Sequence, residues 1–380
     1  MSNSLSPGDF SDQRFARYEN ALEILANIRD TVGQLDPQWS QDSKDQEFQG
    51  GFGYIKKAVW NNRLIAVKFL RDRQDGCSQK QPFRREVMVW HKLNHPNILP
   101  LLGVVSSGDT YLGMASPYME NGPASGYVHR NPEANVLQIL CDVAAGMAYL
   151  ASQTPPIAHG DLKGANVLID SSGRACICDF GLSRFIEDLK SADVSCSGTM
   201  RWMAPEQLIA DTMMVSLSAD IFSWGMLALE LMTGTKPWSD IKNDYSVVPK
   251  VVSRLRPSRP HAHSKLCKLR KERPECVCLV EDDELWKLIQ HCWEHDPDQR
   301  PNITELRAAL LGITKRFSLT KSQIVEEDTD VQPYLPPLEL PPITFTGFYL
   351  CAGYVHVLCA AMFVFLACFG CTWNWATAAS

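Results

Sequence analysis

The amino-acid sequence predicts an α+β protein with two lobes, and three observations support that fold class. Strand-like segments with one helix dominate the first part of the chain and mostly helices follow, which is an element order typical of α+β proteins. The chain has 380 residues, enough for one large domain with appendages. Apolar residues make up 45% and charged residues 21%, which is ordinary for a globular protein with a sizeable core.

The N-terminal part begins with a polar stretch over 1–12 that is expected to be disordered. The elements predicted after it are an amphipathic helix over 15–32, two strands within 48–70, a helix over 82–93 and short strands over 98–119. Asn61-Asn62 separates the apolar runs of the two strands, and such a step favours a hairpin turn.

The following part is mostly helical. Its predicted elements are a helix over 133–152, short strands over 167–169 and 175–178, a helix over 219–232 and a helix over 285–293. The segment 219–232 is apolar nearly all round, which predicts a buried central helix. Residues 261–280 are basic, contain cysteine and show no clear period, which indicates a surface insert.

The C-terminal segment changes character twice. Residues 316–344 become acidic and then proline-rich, which is typical of an extended linker. From Leu340 to Ser380 there is no Asp, Glu, Lys or Arg. Within this stretch, Tyr349 to Phe369 are 21 residues without formal charge, enough for a helix to cross a hydrocarbon core of about 30 Å. We therefore expect a transmembrane helix over 345–371. The alternative is a buried terminal helix of the globular domain.

The charge and the cysteines exclude two classes of protein. There are 37 Lys and Arg against 43 Asp and Glu, so the surface is mildly acidic and has no broad basic footprint for nucleic acid. The 13 cysteines are odd in number, and no secretory apolar segment precedes them. We therefore predict free thiols in a reducing compartment.

Two features near the N-terminus suit phosphate binding. Gln49 to Ile55 is a glycine-rich turn between strands, and glycines allow backbone N–H groups to approach phosphate oxygens closely. Lys68 ends an apolar strand. Each feature alone has a plainer interpretation, because a glycine cluster is usually only a turn and such a lysine usually lies at the surface.

A second group of residues suits metal binding. Asp161 and Asn166 lie between short strands, and Asp179 follows in Asp-Phe-Gly. Their oxygens suit Mg²⁺, which binds a few carboxylates or amides together with substrate phosphates. A glycine turn, a lysine, an acid–amide pair and a second acid, in this order, are what phosphoryl transfer from ATP needs.

With these motifs in order, residues 48–311 resemble a eukaryotic protein kinase domain, most closely the tyrosine-kinase-like serine/threonine kinases. Further matches are Ala204-Pro205-Glu206, Asp220 to Gly225 in the central helix, Arg300 as the partner of Glu206, Gly198 to Met203, and His291-Cys292-Trp293. The resemblance implies the fold of that family, with a small β-rich N-lobe and a larger helical C-lobe.

The resemblance also implies roles for individual residues. The catalytic set is Asp161, which accepts the hydroxyl proton, Lys163, Lys68, which holds the α- and β-phosphates, and Glu86, the partner of Lys68. Glu86 otherwise fits a solvated helix face. The expected metal ligands are Asn166 and Asp179. The expected nucleotide contacts are Gly50, Gly51, Phe52, Gly53, Ile55, Ala66, Lys68, Ser116, Tyr118, Met119, Asn166, Leu168 and Asp179.

Two positions depart from the family pattern. Phe48 stands where the first glycine of the loop is expected, and Gly160 stands where an arginine usually precedes the catalytic aspartate. That arginine pairs with a phosphorylated activation loop in many kinases, so its absence removes a control element and no catalytic group. Lys163 and Thr199 resemble the serine/threonine form of the family, with a tyrosine or dual-specificity kinase as a lesser alternative.

The expected function is therefore a serine/threonine protein kinase in signalling, with ATP and Mg²⁺ as cofactors and ATP, protein substrates and a membrane as partners. The alternative is a membrane-tethered pseudokinase that acts as a binding scaffold. The kinase domain is expected to face the cytosol from a single-pass anchor. The predicted division is an N-terminal extension over 1–45, a kinase domain over 46–315 with the insert at 261–280, a linker over 316–344, the transmembrane helix over 345–371 and a tail over 372–380.

Overall fold

The computed structural model describes most of the chain between residues 38 and 322. The described residues are 38–39, 48–50, 53–70, 80–107, 111–185, 199–209, 215–260 and 283–322. All of them belong to the first of the two units into which the chain divides, Met1–Asp328. The predicted helix over 15–32, the insert over 261–280 and everything from residue 323 onward lie outside the described residues.

The N-terminal lobe is an antiparallel sheet accompanied by one helix. Its elements are β1 (Gln38–Trp39), β2 (Phe48–Gly50), β3 (Gly53–Trp60), β4 (Arg63–Leu70), α1 (Lys80–Trp90), β5 (Gly103–Ser107) and β6 (Tyr111–Pro117). The strand order is β1-β3-β4-β6-β5, and β2 pairs with β3. Strand β4 is therefore central in the sheet, with β3 on one side and β6 on the other.

The predicted hairpin at Asn61-Asn62 is confirmed. Strands β3 and β4 pair from Trp60 opposite Arg63 down to Gly53 opposite Leu70. Both asparagines have positive φ, 48° and 59°, a conformation that Asn tolerates and that two-residue hairpin turns require. This register places Lys68 of β4 directly between β3 and β6.

The C-terminal lobe is mainly helical. Its helices are α2 (Ala124–Arg130), α3 (Val136–Ala151), α4 (Pro205–Ile209), α5 (Leu217–Thr233), α6 (Val248–Val252), α7 (Asp283–Cys292) and α8 (Ile303–Ser322). Its short strands are β7 (Gly122–Pro123), β8 (Ile157–Ala158), β9 (Val167–Ile169), β10 (Ala175–Ile177) and β11 (Arg184–Phe185). Strands β10, β9 and β7 form one small sheet, and β11 pairs with β8.

Helix α5 is the buried central helix that the sequence predicts. The side chain of Ser216 caps its first turn by accepting a hydrogen bond from the backbone N–H of Ala219, as Ser commonly does at this position. Every residue from Ala219 to Met232 is buried, including the acids Asp220 and Glu230. A buried carboxylate requires hydrogen-bond donors, so we expect polar partners for these two acids inside the lobe.

One apolar core joins helix α1 to the C-terminal lobe. Val87 and Trp90 of α1 belong to the same buried cluster as Leu140 of α3 and Trp224 of α5. The indole N–H of Trp90 also donates to the carbonyl oxygen of Leu99, at 2.5 Å. A smaller cluster lies against the sheet. Helix α1 is therefore fixed by packing, and residues on it have defined positions relative to the other lobe.

The expected transmembrane helix is not supported, and the fold class is corrected to the two lobes alone. No helix among the described residues is long and apolar enough to cross a membrane. Helix α5, apolar nearly all round, is 17 residues long and its apolar surface is packed inside the C-terminal lobe. The predicted segment 345–371 itself lies outside the described residues. The membrane partner that depended on this helix is likewise unsupported.

Candidate active site

A charged cluster connects the two lobes. The Lys68 Nζ atom on β4 lies 2.8 Å from Glu86 Oε1 on α1 and 2.6 Å from Asp179 Oδ1. Glu86 is only 2% exposed, so the alternative of a solvated helix face is excluded. The structure thus brings together three residues that are far apart in sequence and that were predicted to share one site.

The electrostatics of this cluster favour the charged forms of Lys68 and Asp179, whereas burial raises the pKa of Glu86 above its ordinary value. Burial by itself disfavours the Lys68 ammonium, but the adjacent charges of Asp179 and Glu86 hold its pKa above the ordinary value. Burial likewise works against the Asp179 carboxylate, yet the charge of Lys68 and its hydrogen bond hold the pKa of Asp179 below the ordinary value. A charged lysine and a charged aspartate are the states needed to bind phosphate and a metal ion.

The backbone at Asp179 directs its side chain toward Lys68. Asp179 adopts a left-handed conformation, with φ 67° and ψ 75°. The next residue, Phe180, is completely buried, with its ring 6.0 Å from Trp90 and 5.5 Å from His159, centroid to centroid. Because Phe180 occupies the core between α1 and the catalytic loop, defined here as residues 159–166, Asp179 on the preceding position faces the site.

Asp161 is the second centre of the site. Its Oδ2 atom accepts hydrogen bonds from Lys163 Nζ at 2.7 Å and from Asn166 Nδ2 at 2.8 Å. Lys163 Nζ also donates to Thr199 Oγ1 at 3.0 Å. The other oxygen, Asp161 Oδ1, is buried and has no hydrogen-bond partner among the described residues. An orphaned carboxylate oxygen is an acceptor available for a hydroxyl from outside the protein.

Helix α5 holds the catalytic loop through hydrogen bonds to the backbone of that loop. The backbone N–H groups of His159 and Gly160 donate to the two oxygens of Asp220, at 2.6 Å and 2.8 Å. Burial raises the pKa of Asp220 above its ordinary value, which these two hydrogen bonds oppose. Gly160 has φ +80°, and an added Cβ would lie 2.9 Å from Val215 Cγ1, so a larger residue here is strained.

The expected nucleotide contacts lie at the sheet and at the segment between the lobes. Gly50 and Gly53 face each other where β2 pairs with β3, and a Cβ on Gly53 would overlap the carbonyl oxygen of Phe69. Ala66 pairs with Ser116, which is buried. The remaining positions are Ile55 opposite Lys68, Tyr118 and Met119 just after β6, and Leu168 in β9, opposite Pro123. Gly51 and Phe52 lie outside the described residues, and the nucleotide contacts stay predictions.

The residues present fit a nucleotide with a divalent metal ion. Asn166 Nδ2 donates to both the carbonyl oxygen and the Oδ2 atom of Asp161, which leaves the amide oxygen of Asn166 as its ligand atom. Asp179 contributes a carboxylate beside Lys68. The donor set is all oxygen, which suits Mg²⁺, and phosphate oxygens and water would complete the coordination.

Two positions with a role at the site, Glu230 and Arg201, were not assigned one from the sequence. Glu230 of α5 accepts hydrogen bonds from the Gly164 backbone N–H and from Trp202 Nε1, both at 2.9 Å. Burial raises the pKa of Glu230 above its ordinary value. Arg201 is wholly buried and bound to Asp244. An acid inside an apolar helix was a visible signal for Glu230, whereas the partner of Arg201 lies in a loop with no recognisable motif.

Comparisons with known proteins agree with this geometry. Residues 48–310 match the family described as protein kinase domain. Over 288 residues the chain is 30% identical to serine/threonine-protein kinase CTR1 of Arabidopsis thaliana, covering 74% of this chain and 32% of that protein. It is 28% identical to serine/threonine-protein kinase STY46 of Arabidopsis thaliana over 271 residues, covering 70% of this chain and 43% of that protein.

A mammalian relative is equally similar. The chain is 29% identical to serine/threonine-protein kinase TNNI3K of Mus musculus over 264 residues, covering 68% of this chain and 29% of that protein. The match therefore spans less than half the length of each of these three relatives. Because residues 48–310 match as one domain and both the plant and the mouse relatives are kinases, the chain belongs to the protein kinase family and resembles its tyrosine-kinase-like serine/threonine members.

Proposed function

We propose that this protein is an active serine/threonine protein kinase that transfers the γ-phosphoryl group of ATP to protein hydroxyls, giving ADP and a phosphoprotein. The observation that carries the proposal is Asp161, whose buried Oδ1 atom has no hydrogen-bond partner within the part of the chain that the structure describes, while its Oδ2 atom is held by Lys163 and Asn166. Proteins of this family use ATP and a divalent metal ion, and here Mg²⁺ is the metal that the oxygen donors suit.

Each residue of the site has a distinct task in this proposal. Lys68 binds the phosphates of ATP, and Glu86 holds the Lys68 side chain in place. Asp161 Oδ1 accepts the hydrogen bond of the substrate hydroxyl, orients its oxygen for attack and takes its proton. Asn166 and Asp179 hold the metal, which when bound neutralises charge on the phosphates. Positioning and electrostatic stabilisation then account for most of the catalysis.

Lys163 and Thr199, which are in contact and match the serine/threonine form of the family, support serine and threonine as the acceptor residues. Lys163 Nζ bridges the catalytic aspartate and Thr199 Oγ1. A cation in this position compensates the negative charge that gathers at Asp161 and at the transferred group. The names of the relatives, which are serine/threonine-protein kinases, agree with this choice. We also propose that the protein acts in signalling.

The test is phosphate transfer by the full-length protein. Wild-type protein with Mg·ATP is expected to label Ser and Thr of a generic protein substrate, and Asp161→Asn is expected to lower the rate by roughly 10²–10⁴-fold, because general-base catalysis and orientation are lost together. Asp298→Asn is the matched control, since Asp298 is exposed and outside the site.

The pseudokinase alternative makes the opposite prediction. A binding scaffold transfers no phosphate in the wild type, and Asp161→Asn then changes nothing. Analysis of the labelled amino acid decides between serine/threonine and tyrosine specificity. If Asp161→Asn phosphorylates the substrate at the wild-type rate, the assignment of Asp161 is refuted. If phosphate is found on tyrosine alone, the serine/threonine specificity is refuted.

A further inference from the structure

The turn between α1 and β5, residues 94–99, is held by an aromatic pair and by a ring nitrogen. The ring of His95 stacks on that of Tyr149 of α3, with the two centroids 4.9 Å apart and the planes 22° from parallel. The Tyr149 hydroxyl accepts a hydrogen bond from the backbone N–H of Asn94 at 2.9 Å. The backbone N–H of Asn97 donates to His95 Nδ1 at 3.1 Å, so the imidazole is itself a part of the turn.

The same turn is hydrogen-bonded to strand β10, which leads to Asp179. The side-chain amide of Asn97 donates to the carbonyl oxygen of Ala175 at 2.9 Å, and the Asn97 carbonyl oxygen accepts from the backbone N–H of Ile177 at 2.9 Å. The backbone N–H of Leu99 donates to the carbonyl oxygen of Ile177, also at 2.9 Å. Because Ile177 ends β10 two residues before Asp179, the conformation of Asn97 fixes the strand from which Asp179 enters the site.

His95 supports Asn97 only while its ring is neutral. The Nδ1 atom accepts a hydrogen bond and therefore carries no proton, whereas an imidazolium ring has N–H donors on both nitrogens and no acceptor. Protonation sets two N–H donors against each other inside the turn. Asn97 is only 7% exposed, so water has little access to replace the lost acceptor.

The surroundings of His95 keep its ring neutral at neutral pH. Burial lowers the pKa of His95 below the ordinary value of 6.5, and the positive charge of Arg307 on α8 lowers it further. Tyr149 of α3 faces the ring, and the Cys176 thiol of β10 donates to the neighbouring carbonyl oxygen of Pro96. The hydrogen bond that His95 accepts is therefore intact at neutral pH and is lost only as the pH falls below 6.5.

We propose that His95 is a positioning residue for Asp179 and that it holds strand β10 in place only in its neutral form. The inference rests on the proposed kinase function, in which Asp179 holds the metal. Neutral His95 fixes Asn97, Asn97 fixes β10, and β10 carries Asp179 to the site. Protonation of His95 removes the first of these contacts, so metal binding at Asp179 weakens in acid. His95 acts through these contacts and is not itself a catalytic residue.

The first experiment measures phosphate transfer by the full-length protein from about pH 7.5 to about pH 5.5, with free Mg²⁺ varied at each pH. In His95→Asn the amide oxygen replaces Nδ1 as the acceptor and does not titrate. The Mg²⁺ concentration for half-maximal rate is expected to rise with acid about fivefold more in wild type than in His95→Asn, since one supporting hydrogen bond is lost. His129→Asn is the matched control, because His129 is exposed on α2, and it is expected to follow the wild-type profile.

Urea unfolding of the protein without nucleotide or metal is a second readout. A histidine whose pKa is lowered by folding takes up its proton more readily in the unfolded state, so its contribution to stability is complete above pH 6.5 and falls below it. The urea midpoint of wild type is therefore expected to decrease relative to that of His95→Asn as the pH falls from about 7.5 to about 5.5. His129→Asn is again expected to follow the wild type.

A further variant keeps the test decisive if His95→Asn does not fold. Arg307 is exposed on α8, and Arg307→Met removes the charge that disfavours the imidazolium ring, so the acid transition in Mg²⁺ dependence is expected to move to higher pH. Equal Mg²⁺ dependence and parallel urea midpoints in wild type and His95→Asn overturn this role and leave the kinase function standing. A transition that Arg307→Met leaves in place also overturns it. A wild type that transfers no phosphate overturns the kinase function and, with it, this role.

Discussion

On the N-lobe side of the site, Lys68 is held by two side-chain charges, whereas on the C-lobe side the catalytic loop is held through backbone N–H groups. Lys68 contacts Glu86 of α1 and Asp179, which lie on separate elements. The catalytic loop instead donates to Asp220 and Glu230, which both belong to α5. The geometry of the Lys68 cluster therefore depends on how three separate elements pack together, whereas the geometry of the catalytic loop depends on the single buried helix α5.

This difference separates catalytic effects from folding effects. The groups of the charged cluster are themselves the groups that bind phosphate and metal, so their removal acts first on the reaction. The carboxylates of α5 do not reach the substrate, and their removal leaves backbone donors buried without acceptors. Mutations on the two sides are therefore expected to differ in the ratio of lost activity to lost stability.

The largest effect is expected for Lys68→Met. Loss of the phosphate-binding cation is expected to lower phosphate transfer by roughly 10²–10⁴-fold, as for other electrostatic groups in active sites. The measurement is kcat/KM for ATP with a generic protein substrate. Lys287→Met on the exposed face of α7 is the charge-matched control. Transfer at more than a tenth of the wild-type rate would contradict the role of Lys68.

A smaller loss of activity with a larger loss of stability is expected for Asp220→Asn. The amide presents an N–H group where His159 and Gly160 both need an acceptor, so one backbone donor is left unsatisfied at a cost of about 1–3 kcal/mol. Urea unfolding measures the change, with Asp298→Asn as control. A variant with wild-type stability and severely reduced transfer would show that Asp220 acts on the reaction directly.

Thr199 tests the connection between the catalytic loop and the segment 199–204. Thr199→Ala removes the hydroxyl that accepts from Lys163, and we expect transfer to fall about tenfold, the equivalent of roughly one charge-assisted hydrogen bond. Thr199→Ser keeps the hydroxyl and is expected to retain most of the activity. Equal loss in both variants would indicate that the methyl group matters rather than the hydrogen bond.

The smallest effect is expected for the activation segment. Gly160 has no side chain to receive a phosphate, and Arg201 is buried and bound to Asp244 and to three carbonyl groups. We therefore expect the Ser191→Ala, Ser195→Ala, Ser197→Ala triple variant and phosphatase-treated wild type to stay within about threefold of untreated protein. A loss of more than tenfold in both would mean that another basic group receives a phosphate on this segment.

The hairpin, the central helix and the ordered motifs were predictable because their signals are local. Asn61-Asn62 specifies a turn through its own backbone preference, and the apolar run 219–232 specifies burial through composition. The expected transmembrane helix was wrong for a related reason. A run of 21 residues without charge is long enough to span a membrane, but the same composition also occurs in segments that proteins pack internally.

The sequence by itself determined which chemistry the site offers. The cation Lys68, the acids Asp161 and Asp179 and the amide Asn166 follow one another in the order that phosphoryl transfer needs. The pairing of Glu86 with Lys68 was already implied by the family resemblance, but only the tertiary structure decided the other partners. Asp179 meets Lys68 across 111 residues, and Arg201 meets Asp244 across 43. The physical reason is that burial and pairing of charges depend on how separate elements pack, and packing between distant elements leaves no periodic signal along the chain.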